Sequence, residues 1–333
     1  MERNSRLLQI LERLVVSALA TAAISASALA QEVRRVDAER PGRDVGDGLS
    51  WATAYKSLDD ALAEAWAIPG EVQIWLAEGV YVPSVAPSAF GGGTQRDNTF
   101  WIPDRTGIFG GFRGGIVDEQ SLDDRGRYPW RTILSGNLGD TQVVGDNTFH
   151  VAVAGNPQPG GAPTVDQTLD TLVIQNGHND SSSVPADFSR EGAGLYAIRA
   201  SNLTITNCVF RNNFARRGGA IHMFGGDLAM SYCVFEDNWG RQEGGALRLS
   251  GNSSMSRIQN CLFRHNASNG WDPAQSNPPG FGGAVFAMEM ANTAQFVNCV
   301  FYDNFSAWGG AVYTGAGDPF STVETEWINC TFA

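Results

Sequence analysis

Asn207-Cys208-Val209-Phe210-Arg211-Asn212-Asn213, followed ten residues after its cysteine by Gly218-Gly219-Ala220-Ile221, is the unit from which the chain is built. It returns as Cys233-Val-Phe-Glu-Asp-Asn238 with Gly244-Gly245-Ala246-Leu247, as Cys261-Leu-Phe-Arg-His-Asn266 with Gly282-Gly283-Ala284-Val285, and as Cys299-Val-Phe-Tyr-Asp-Asn304 with Gly309-Gly310-Ala311-Val312. Asn329-Cys330-Thr331-Phe332 starts a fifth copy. An apolar residue stands three positions before each cysteine (Ile205, Met230, Ile258, Phe296, Trp327) and phenylalanine two positions after it. A strand alternates with period two, so a step of three marks a change of phase between two strands. The residue at the break is Asn in four of five copies, with Tyr232 the exception, and Asn tolerates the left-handed conformation such a corner needs. Leu169, Leu172 and Ile174 fit the same frame without a cysteine.

A second Asn, five residues after the cysteine, ends the next strand, and Gly-Gly opens a third. Three short strands per turn of 25 to 38 residues describe an all-β parallel β-helix. Its coils would lie ~4.8 Å apart, close enough for stacked Asn side chains to bond along the axis. Solenoids grow without dividing into domains, so 333 residues predict one elongated body over 46–333, with regular repeats from 190. Ahead of it, Leu58, Ala61, Leu62, Ala65 and Trp66 at helical spacing predict an N-terminal capping helix. Residues 31–45, charged and Gly-rich, are expected to be a flexible lead-in.

Residues 1–30 read as a signal peptide. Arg3, Arg6 and Arg13 precede an apolar run from Leu14 to Ile24, and Ala28-Leu29-Ala30 stands before Gln31. The alternative is a buried helix or an uncleaved anchor; the run is short for a membrane span. The chain is therefore expected to be exported, to the extracellular space or the outer-membrane surface. With net charge −12, and one lysine (Lys56) against 22 arginines, it has no basic face for nucleic acid. The five cysteines occupy one slot of the repeat, which predicts a column of buried thiols over a disulfide framework.

The tetrapeptides Gly-Gly-Ala-Ile/Leu/Val and Phe-x-x-Asn, alternating four times over 190–332, resemble the repeats of the polymorphic outer membrane proteins of chlamydiae. Asp47-Gly48-Leu49-Ser50-Trp51 and Val72 to Tyr81 are similar to segments of exported right-handed β-helix proteins of the pectin-lyase-like group. The resemblance implies a right-handed coil. It leaves the chemistry open, because such coils serve adhesins, autotransporter passengers and polysaccharide-degrading enzymes.

The residue after each Gly-Gly-Ala aliphatic should point outward, giving a stripe of Tyr196, His222, Arg248, Phe286 and Tyr313, one per rung. Aromatic faces in a long groove suit a polysaccharide or cell-surface glycan; the plainer reading is rings stacked on an exposed sheet. The stripe carries no carboxylate pair of the kind glycoside hydrolysis needs, the nearest acid being Glu289. Asp237 and Asp303 lie two rungs apart, and no catalytic group, cofactor site or metal spacing emerges, the four histidines included. Arg211, Glu236 and Arg264 fall on successive rungs as paired surface charges. Insertions at His178–Glu191 and Ala267–Phe281, the second carrying Trp271, leave from one corner and are candidate binding loops. The expected function is adhesion or scaffolding, with a polysaccharide lyase or glycoside hydrolase as the rival. The uncapped fifth copy raises the expectation of a truncated C-terminus or end-to-end self-association.

Overall fold

The computed structural model describes residues 31–87, 93–115, 119–126, 131–140, 143–156, 162–180, 191–251, 255–269, 279–288, 293–315 and 324–333. They form a right-handed parallel β-helix with sheets of fifteen, eight and four strands, every strand pair parallel. The signal-like segment 1–30 and the insertion residue Trp271 lie outside the described residues. Among those described, no helix is long and apolar enough to cross a membrane.

The corners form where the step of three places them. Asn207, Tyr232, Asn260, Asn298 and Asn329 all have φ between 51° and 56°, and Thr171, φ 59°, fills the slot in the rung without cysteine. The five-residue frame has a second left-handed corner at Asn212, Asp237, His265 and Asp303. The residue after it is the ladder asparagine. Asn213, Asn238 and Asn266 each donate from Nδ2 to Oδ1 of the next rung's Asn at 3.0 Å. Asn238 and Asn266 also donate to the Phe carbonyl of the rung before, both at 2.9 Å. Asn213, Asn238 and Asn266 are buried and satisfied, so the ladder fixes the register of successive rungs.

Inside, Phe210, Phe235, Phe263 and Phe301 stack face to face with centroids 5.1, 4.7 and 4.8 Å apart, and Cys208, Cys233, Cys261 and Cys299 pack beside them as buried free thiols. Gly218 turns the third corner at φ +60°, where a Cβ would meet the Ile221 carbonyl at 2.3 Å.

The N-terminal end departs from expectation in one respect. The start of the lead-in is a strand: Glu32–Val36 pairs in register with residues 72–76. Its arginines hid this strand from a hydrophobic reading. Arg34 is tied to Glu64 at 2.9 Å, and Arg35 lies over the Trp75 ring at 5.0 Å. Helix α1, Leu58–Ala65, is capped by Ser57, whose Oγ accepts from Asp59 N at 3.0 Å, and buries Leu58, Ala61, Leu62 and Ala65 against the first coil. Trp66 falls just past the helix, edge-on to Trp101.

Candidate functional site

Tyr196, His222, Arg248, Phe286 and Tyr313 do stand in one register column. They do not form an open stripe. Tyr196, His222, Arg248 and Phe286 are buried, and Tyr313 is half-buried. The left-handed glycine at each third corner folds a second column, Glu191, Arg217, Glu243, Phe281 and Trp308, against the first. The two columns close like a zipper. At one end the contacts are aromatic: Phe281 meets Tyr313 at 5.0 Å and Phe286 stacks on Tyr313 at 5.5 Å. Toward the other end they are ionic.

In the ionic part, a Glu191 carboxylate oxygen touches His222 Nδ1, and Arg217 donates to the other oxygen at 2.9 Å. Arg248 Nε binds Glu243 at 2.6 Å, and its Nη1 donates to Ser250 Oγ at 2.6 Å while touching His222 Nε2. Ser250 Oγ lies 2.9 Å from His222 Nε2. Burial opposes ionisation of Glu191, but the hydrogen bond from His222 and the charges of Arg248 and Arg217 outweigh it and hold its carboxyl well below the usual range. Burial pushes His222 down, against the pull of Glu191 and with the push of Arg248, so the ring is neutral at pH 7. Serine, histidine and carboxylate in line have the connectivity of a nucleophile with its base. Here Arg248 Nη1 contacts both Ser250 Oγ and His222 Nε2, and Ser250 and His222 are fully buried, out of reach of a substrate. The cluster is a charge-neutral clasp holding the third corner shut.

The remaining candidates stay apart. Glu289 lies outside the described residues. Asp237 and Asp303 flank His265 on an exposed corner at 3.7 and 4.0 Å. Arg264 pairs with Glu236, and Arg211 binds Gln175 at 2.8 Å. Among the described residues no group of His, Cys, Asp and Glu could hold a metal ion.

An open site lies on the four-stranded sheet. The residue after each ladder Asn must face outward, and these are Phe214, Trp239, Ala267 and Phe305, in register. His178 extends the column by one rung, stacked on Phe214 at 4.6 Å and 18°. Trp239 meets Phe214 at 82°, one ring edge-on to the other, and is 46% exposed. His178, Phe214 and Trp239 line a cleft of ≈ 650 Å³, with Asp180, Asp237, Arg241, Asn212 and Asn269 at its polar positions. Arg96 binds Asp180 at 2.7 Å. Burial lowers the His178 pKa against the pull of Asp180, so that ring too is neutral. The signal in the sequence was the aromatic after the ladder Asn in three of four rungs.

Fold and site together define a right-handed parallel β-helix protein with an aromatic cleft on its narrow sheet. Residues 167–332 match the family described as right handed beta helix region. A comparison with curated protein sequences finds no match. Among solved structures, the chain is similar to pectin methylesterase from Aspergillus niger in deglycosylated form, at 11% identity and TM-score 0.44, over 88% of each chain. It is also similar to pectin methylesterase PemA from Erwinia chrysanthemi, at 11% identity and TM-score 0.41, over 84% of this chain and 80% of that one. Neither similarity transfers a residue role.

Proposed function

We propose that this protein is an exported, non-catalytic β-helix scaffold that binds carbohydrate through the Trp239 cleft, serving adhesion at the cell surface or outside it. The observation that carries this reading is the half-exposed ring of Trp239 in an open cleft with amide, carboxylate and guanidinium groups around it. An aromatic face takes the apolar face of a sugar, and the polar groups take its hydroxyls. The signal-like N-terminus supports export, and the Gly-Gly-Ala and Phe-x-x-Asn repeats, similar to those of polymorphic outer membrane proteins, support adhesion. The rival, a polysaccharide-degrading enzyme, would draw on Asp180 and Asp237, which both line the cleft.

A polysaccharide panel separates the two. Binding without new reducing ends or unsaturated uronate absorbance is expected, weakened at least ~tenfold in Trp239→Ala, the loss of one stacked ring. Turnover that disappears in Asp237→Asn would replace the binding reading with the enzymatic one.

A further inference from the structure

We infer that the carbohydrate is a neutral, extended β-1,4-linked polymer lying along the solenoid axis, an inference that rests on the carbohydrate-binding reading above. Its basis is the spacing of the exposed rings. Trp239, Ala267 and Phe305 occupy consecutive rungs of one column. Trp239 is 46% exposed, and Phe305, on the last strand of that sheet, faces outward in the same column. Two open aromatic platforms therefore stand two rungs apart, about 9.6 Å at ~4.8 Å per rung. Between them the side chain is a methyl group.

An extended β-1,4 chain turns each pyranose over relative to the last, so every second ring presents the same face in the same place. Two such rings span about the length of two rungs. Platforms on alternate rungs thus meet alternate sugars, and the inverted sugar between them lies over the methyl group of Ala267. An α-1,4-glucan coils away from a straight column and cannot rest on both platforms.

Charge selects within this class. Asp180 is tied to Arg96, and Asp237 and Arg241 bring one charge of each sign to the cleft. The cleft is close to neutral on a chain of net charge −12, which repels a polyanion and tolerates an uncharged polymer.

Titration calorimetry with cello-oligosaccharides and N-acetylated chito-oligosaccharides, from disaccharide to hexasaccharide, tests the inference against malto-oligosaccharides of equal length. Once a chain reaches both platforms, its second contact is intramolecular, so affinity should rise ~tenfold or more between disaccharide and tetrasaccharide. Phe305→Ala should remove that rise and Trp239→Ala should weaken the whole series. Tyr232→Ala, on a different corner and 61% exposed, should change neither. Equal affinity for the α-linked series, or a chain-length gain that survives Phe305→Ala, would overturn this inference and leave carbohydrate binding standing. Failure of every oligosaccharide to bind would overturn both.

Discussion

Phe263→Ala should destabilise the protein by about 3–5 kcal/mol, the cost of deleting a large side chain from a core that cannot collapse around the gap. Phe263 is fully buried and stacks on Phe235 at 4.7 Å and on Phe301 at 4.8 Å, both within 6° of parallel. The rungs on either side are pinned by backbone ladders and by the Asn238–Asn266–Asn304 chain, so they cannot close onto the cavity. Stability in a solenoid is carried by neighbour contacts, and this change weakens two interfaces together. The neighbouring Arg264, paired with Glu236 on the surface and 44% exposed, supplies the contrast: Arg264→Ala should cost less than ~1 kcal/mol. Urea denaturation followed by circular dichroism measures both. Equal midpoints for the two variants would mean that the rings are not the core of the coil.

Glu191→Gln should cost about 3 kcal/mol, because it removes a largely buried counter-charge from Arg217 and Arg248 while leaving the shape of the side chain. The same clasp sets the acid limit of the fold. His222 is depressed below its ordinary 6.5, so the unfolded chain binds that proton first, and stability begins to fall as pH drops below about 6.5. Glu191 is depressed below its ordinary 4.5, so its contribution is intact above that value and is lost as pH falls further, through its folded pKa. Both effects have one sign: acid loosens the third corner. A series of thermal midpoints from about pH 8 to pH 3 should decline in two stages, and Glu191→Gln should flatten the lower one. A midpoint that rises on acidification would refute the neutral-histidine clasp.

The coil was legible because its code is short and local. A left-handed corner needs Asn or a residue that tolerates it, and the residues that follow alternate inward and outward, so Asn207, Cys208 and Phe210 each report their own place. The buried thiol column follows from the same frame. The stripe was right in register and wrong in exposure, because exposure depends on a neighbour that the strand itself does not encode. Glu191, Glu243 and Phe281 stand just before the glycines, and only the folded corner brings them onto His222, Arg248 and Phe286. The first strand was missed for a different reason. Arg34 and Arg35 look like solvent-seeking charges until Glu64 and Trp75 are placed beside them. Trp239 could have been found from the sequence by asking which way the residue after the ladder Asn must point.

Hydrogen exchange with and without a bound oligosaccharide tests the central claim, that the narrow sheet is the carbohydrate-binding face, most directly. Slowed exchange is predicted at Asn212–Phe214 and Asp237–Arg241, the backbone beneath the cleft, with little change along the eight-stranded sheet. Protection confined to that broader sheet, with the amides around Trp239 exchanging as before, would contradict it.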